Sequence, residues 1–70
     1  MSANIEFILN GEPRQAAASA SIEELLASLG LAGKRVAVEM NGEIVPKSRH
    51  AEVCIAAGCR IEIVVAVGGG

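Results

Sequence analysis

A chain of 70 residues holds one domain, and at that size folding buries only about 60% of the unfolded surface. With 51% apolar and 20% charged residues the composition is that of a folded domain, and a net charge of −2 with a pI near 5.2 argues against a phosphate-backbone binder. One Phe, with no Tyr or Trp, leaves no aromatic platform for stacking bases and obliges the core to pack on aliphatic side chains.

The first fifteen residues show no leader pattern, because Glu6 and Asn10 interrupt the only early apolar run. The longest apolar stretch, Ile63 to Val67, is far short of the ~20 residues that span a bilayer. Neither nucleic acid nor membrane is therefore an expected partner. The expected location is the cytoplasm, where Cys54 and Cys59 would be reduced thiols.

In chain order, Ile5, Phe7 and Leu9 fall on one face at a period of two and predict a half-buried strand, followed by an Asn10-Gly11 hairpin turn. The return strand, about Pro13 to Ala17, is predicted at a sheet edge because Pro13 has no amide hydrogen to donate. Ser21-Ile22-Glu23-Glu24 is a capping box, and Ile22, Leu25, Leu26 and Leu29 form one apolar stripe on a helix of about two turns that Gly30 ends. Val36, Val38 and Met40 alternate through a third strand, Asn41-Gly42 gives a second hairpin, and Glu43-Ile44-Val45 begins a strand that Pro46 limits. From Lys47 to Ala57 the pattern has no clear period, and a single helical turn is expected around Ala51 to Ile55. Gly58 turns the chain into a terminal strand, Ile61 to Val67, with Ile61 and Ile63 inward and Arg60 and Glu62 outward.

Strand, hairpin, strand, helix, strand is the β-grasp order: an α+β fold with one helix across a mixed sheet of four to five strands. Its first and last strands run parallel at the sheet centre, which accounts for their dense Ile, Val and Phe content. The expected organisation is a β-grasp domain over residues 1–67 and a glycine tail, Gly68-Gly69-Gly70, over 68–70. Three glycines form a thin thread that extends about 10 Å and whose only functional group is the α-carboxylate of Gly70.

The body and tail together resemble the ThiS family, the ubiquitin-like sulfur carriers of thiamine biosynthesis. The residues that carry the resemblance are Asn10-Gly11, the helix start Ser21 to Leu26, the block Val36 to Pro46, and the ending Gly58 to Gly70. The resemblance implies that a ThiF-type enzyme adenylates the Gly70 carboxylate with ATP. Sulfur supplied through a cysteine desulfurase then converts it to a thiocarboxylate, and thiazole synthase (ThiG-type) takes that sulfur. It further implies that the chain is not itself an enzyme and needs no cofactor or metal of its own. Gly68 and Gly69 would thread into the partner sites, and Val65 and Val67, apolar beside the tail, offer a docking patch. Two departures stand out: Gly58-Cys59 replaces the family's usual Gly-Asp, and no large aromatic residue lies near His50.

Three other readings compete with this one. A carrier of the same fold could serve another pathway, of the molybdopterin type, although that family is longer and richer in Phe and Pro near its end. A β-grasp binding module could carry an inert tail. A metal or redox site could be built on His50, Cys54 and Cys59, but the His-x3-Cys-x4-Cys spacing lacks the fourth ligand that structural zinc requires. The expected roles for these three are a surface or turn histidine, a small buried hydrophobe at Cys54, and a turn or strand-edge thiol at Cys59. Lys34 and Lys47 read as solvated lysines. Glu39, Glu43 and Glu62 suit either a solvated sheet face or a contact surface for a basic partner.

Overall fold

Two Asn-Gly turns shape the sheet. Asn10 and Gly11 adopt φ of 50° and 84°, and Asn41 and Gly42 adopt 53° and 85°, the paired left-handed conformations of a tight hairpin turn. In the computed structural model, which describes residues 4–66, the first turn joins β1 (Asn4–Leu9) to β2 (Glu12–Ala17) and the second joins β3 (Val36–Met40) to β4 (Glu43–Ile44). The last described strand, β5 (Arg60–Val65), runs between the two hairpins and closes one five-stranded sheet in the order β2-β1-β5-β3-β4. It lies parallel to β1, with Ile8 opposite Arg60 and Leu9 opposite Ile61, and antiparallel to β3 along its whole length. This is the β-grasp sheet expected from the order of elements, with β2 at one edge as Pro13 predicts.

The helix α1 (Ile22–Ser28) covers one face of this sheet. Its stripe of Ile22, Leu25 and Leu26 is buried in one cluster with Phe7 and Leu9 of β1, Val38 of β3, and Ile61 and Ile63 of β5. Phe7, Ile22, Val38 and Ile61 are essentially inaccessible, and each such side chain contributes about 1.5–3 kcal/mol by leaving water. The predicted capping box is complete: Glu24 N–H donates to Ser21 Oγ at 3.1 Å and Ser21 N–H donates to Glu24 Oε1 at 2.9 Å. At the other end Gly30 N–H donates to the Ala27 carbonyl and Leu31 N–H to the Leu26 carbonyl, so the last carbonyls of the helix are satisfied too.

The segment without a period, Lys47 to Ala57, does not form the helical turn expected around Ala51 to Ile55. A 3₁₀ turn forms earlier, at Lys47–Arg49, directly after Pro46 at φ −65°. The segment then gives its carbonyls to α1. Ile22 N–H donates to the Val53 carbonyl and Glu23 N–H to the His50 carbonyl, both at 2.9 Å. With Ser21 serving Glu24 and Leu25, the first four amides of the helix are all paired. The stretch is irregular because its backbone is committed to another element.

Candidate functional site

β5 is the strand that leads toward the glycine tail, and its anchoring defines the site. Ile61 and Ile63 point into the core, and Arg60, Glu62 and Val64 lie on the face away from the helix, as the alternation predicts. Each hairpin turn also contributes its asparagine side chain to this strand. Asn41 Oδ1 accepts from Arg60 N–H at 2.9 Å, where β5 begins. Asn10 Oδ1 accepts from Ile63 N–H at 2.8 Å, and Asn10 Nδ2 donates to the Ile63 carbonyl at 3.3 Å. The same asparagines that supply left-handed turn conformations therefore hold β5 at two points. The sequence marked both as turn formers; this second role follows only from where β5 lies.

Beyond Ile63 the strand loses cover on both faces. Val64 is 64% exposed and Val65 40%, and Ile44 on β4 is 75% exposed. Val65 thus sits in the exposed position expected of it. Val67, Gly68, Gly69 and Gly70, and with them the boundary between domain and tail, lie outside the described residues. The exposed positions of Val64 and Ile44 were not singled out from the sequence, although alternation from Glu62 puts Val64 on the outer face. Register places Ala37 opposite Val64, and Glu39 opposite both Glu62 and Ile44. An apolar strip with two like charges in its middle therefore crosses the outer face of the sheet.

The remaining candidates are not brought together. His50 is buried rather than on the surface: its Nε2 lies 3.0 Å from the Val45 carbonyl, for which it is the donor, and its own carbonyl accepts from α1. The two cysteines exchange their expected places. Cys59 is 4% exposed and belongs to the core, because the turn at Gly58 aims it inward at the foot of β5. Cys54 is exposed, its thiol 3.8 Å from the Ser19 carbonyl. Among the described residues no three His, Cys, Asp or Glu side chains gather as a metal site. A groove of about 890 Å³ between α1 and the start of β3 mixes Glu23 and Glu24 with Lys34, Arg35 and Lys47. These are solvated charges of both signs, and no thiol or hydroxyl side chain lines the groove. No helix among the described residues is long and apolar enough to cross a membrane.

Known proteins resemble this chain along nearly all of its length. A thiazole synthase of Paramagnetospirillum magneticum is 47% identical over 66 residues, which are 94% of this chain but 20% of that protein, so the chain spans about a fifth of that relative's length. The uncharacterized protein ycf40 of Porphyra purpurea is 33% identical over 67 residues, covering 96% of this chain and 94% of that protein. The crystal structure of the thiamine biosynthesis protein ThiS from Geobacter metallireducens superposes with a TM-score of 0.80 at 30% identity, covering 94% of this chain and all of that one. Residues 7–70 match the ThiS family as a whole, so that the hairpins, the capped helix and the asparagine-clamped strand are those of a family member: the chain belongs to the ThiS family.

Proposed function

We propose that this chain is a sulfur carrier of thiamine biosynthesis and that the sulfur is carried on the carboxyl group of Gly70. Membership of the ThiS family supports the role, and the likeness to a protein named thiazole synthase supports a synthase of that kind as the sulfur acceptor. The single observation that carries the reading is the anchoring of β5. A strand buried through Ile63 and clamped by Asn10 is a fixed root for three glycines that follow within a few residues.

An ionised carboxylate is a poor acyl donor at neutral pH. Attack of its oxygen on the α-phosphorus of ATP, catalysed by a ThiF-type enzyme, gives an acyl-adenylate and releases pyrophosphate. A persulfide charged by a cysteine desulfurase then attacks the acyl carbon through its terminal sulfur and expels AMP, giving an acyl disulfide, and a second thiol cleaves the S–S bond to release the thiocarboxylate and leave a disulfide. The carrier supplies no acid, base or metal to these steps. Its contribution is delivery: glycines pass a narrow channel that any side chain would block, and the body orients the terminus toward the reacting groups.

Intact mass spectrometry after incubation with a ThiF-type enzyme, ATP and a sulfur source tests this. One sulfur in place of one oxygen adds about 16 Da. An unchanged mass would sink the reading. Deleting Gly70 should abolish the gain while leaving the thermal transition in place; a truncated chain that still takes up sulfur would refute the assignment to Gly70.

A further inference from the structure

Leu9-Asn10-Gly11-Glu12 and Met40-Asn41-Gly42-Glu43 are near copies of one turn, and each holds a dipeptide prone to modify itself. The backbone nitrogen that follows an asparagine can attack the carboxamide carbon, and a glycine there, having no Cβ, leaves that nitrogen unshielded. Gly11 and Gly42 both have open space where a Cβ would stand. Neither glycine's N–H takes part in a backbone hydrogen bond among the described residues.

The two carboxamides are held differently. Asn10 is bonded at both ends, to the N–H and the carbonyl of Ile63, and its hairpin pairs six residues with six, from Asn4 opposite Ala17 to Leu9 opposite Glu12. Asn41 is bonded at one end, its Oδ1 accepting from Arg60 N–H at 2.9 Å. Its hairpin has two residue pairs and one further bond, from Val45 N–H to the Val38 carbonyl. Ring closure requires the carboxamide to release its partner and turn its carbon onto the glycine nitrogen, so it proceeds from a locally open turn. Short pairings open before long ones.

We propose that Asn41-Gly42 is a site of spontaneous deamidation in the folded chain, and that the bonds to Ile63 protect Asn10-Gly11 from the same reaction. The Gly42 nitrogen forms a bond to Asn41 Cγ, the Cγ–Nδ2 bond breaks, and Nδ2 leaves as ammonia with the proton that the Gly42 nitrogen loses. Water then opens the succinimide at either carbonyl, giving aspartate or isoaspartate, with no oxidant or reductant consumed. Both products add one negative charge to the formal −2, in a cleft already lined by Glu39 and Glu62. Aspartate still accepts from Arg60 N–H. Isoaspartate inserts a carbon into the backbone of a two-residue turn, so β4 and its exposed Ile44 lose their register with β3. β5 keeps its clamp at Asn10. This chemistry does not depend on the carrier role.

The two turns differ only in Leu9 against Met40, so the unfolded chain serves as the control. The chain is held in neutral buffer, folded or in urea, and trypsin then separates Asn41, in peptide 36–47, from Asn10, in peptide 1–14. Exchange of NH₂ for OH adds about 1 Da, which fragmentation places on one residue, and methyl transfer by an isoaspartyl methyltransferase reports the isoaspartate. In urea Asn10 and Asn41 should convert at rates within about twofold of each other. In the folded chain Asn41 should still convert, while Asn10 lags by about fivefold or more, the factor that one net hydrogen bond supplies. Asn41→Gly should keep the turn and abolish the gain in peptide 36–47. No conversion of Asn41 in the folded chain, or a gain that survives Asn41→Gly, would overturn the site. Equal rates at the two asparagines in the folded chain would overturn the protection by Ile63.

Discussion

Replacing Asn10 separates its two roles, in the turn and on β5. Asn10→Gly retains a residue suited to φ of 50° and deletes both side-chain bonds to Ile63, one of 2.8 Å and one of 3.3 Å. A sound bond contributes about 1 kcal/mol net and a long one about half that, and the stranded Ile63 amide adds a few tenths, for a loss of about 1.5–2 kcal/mol. Asn10→Ala loses the same bonds and must also hold a Cβ in the left-handed region, which costs about 1 kcal/mol more. For a domain of this size that is a fall in Tm of about 6–15 °C for glycine and clearly more for alanine. Urea unfolding gives the free energies, and amide exchange gives the local effect: protection at Ile63 should collapse while that at Glu39, whose amide faces Glu62 across the β3–β5 ladder, follows global stability alone. An Asn10→Gly chain within 0.5 kcal/mol of the parent, the threshold being about half of one net bond, would refute the clamp. Alanine no worse than glycine would refute the turn argument.

Three further outcomes follow from the same structure. Only Cys54 is accessible, so a thiol reagent should modify one cysteine in the folded chain and both in denaturant; native modification of Cys59 would contradict its place in the core. Ser21→Ala removes the acceptor for Glu24 N–H and should cost about 1 kcal/mol in urea unfolding, whereas Ser21→Asp should recover most of it. Glu39 and Glu62 stand directly opposite each other in exposed positions, so Glu62→Gln should stabilise by a few tenths of a kcal/mol at low salt, an advantage that about 1 M salt should erase.

What could be read from the sequence was what is decided locally. The Asn-Gly turns, the Ser21–Glu24 box and the Ile22-Leu25-Leu26 stripe each require only neighbours within a few residues, and each forms as read. The tail's approach was legible in the alternation of Arg60 to Ile63. The errors fall between Lys47 and Cys59, where the determinants are distant. His50 and Val53 are positioned by amides of α1 that lie 27 and 31 residues earlier in the chain, and a backbone bond leaves no trace in side-chain periodicity. Cys54 and Cys59 changed places for that reason: the path of the segment decides which thiol faces inward, and that path is set by α1.

The sheet order has a consequence for how the molecule assembles. The hairpin β1–β2 and the hairpin β3–β4 do not touch as neighbours in the sheet; β5 alone joins them, although it comes last of the described strands. Neither hairpin can complete a core before β5 arrives, because Ile61 and Ile63 fill the space between Phe7 and Val38. The two hairpins are therefore expected to unfold together, in one cooperative transition that probes on β2 and on β3 report at the same urea concentration.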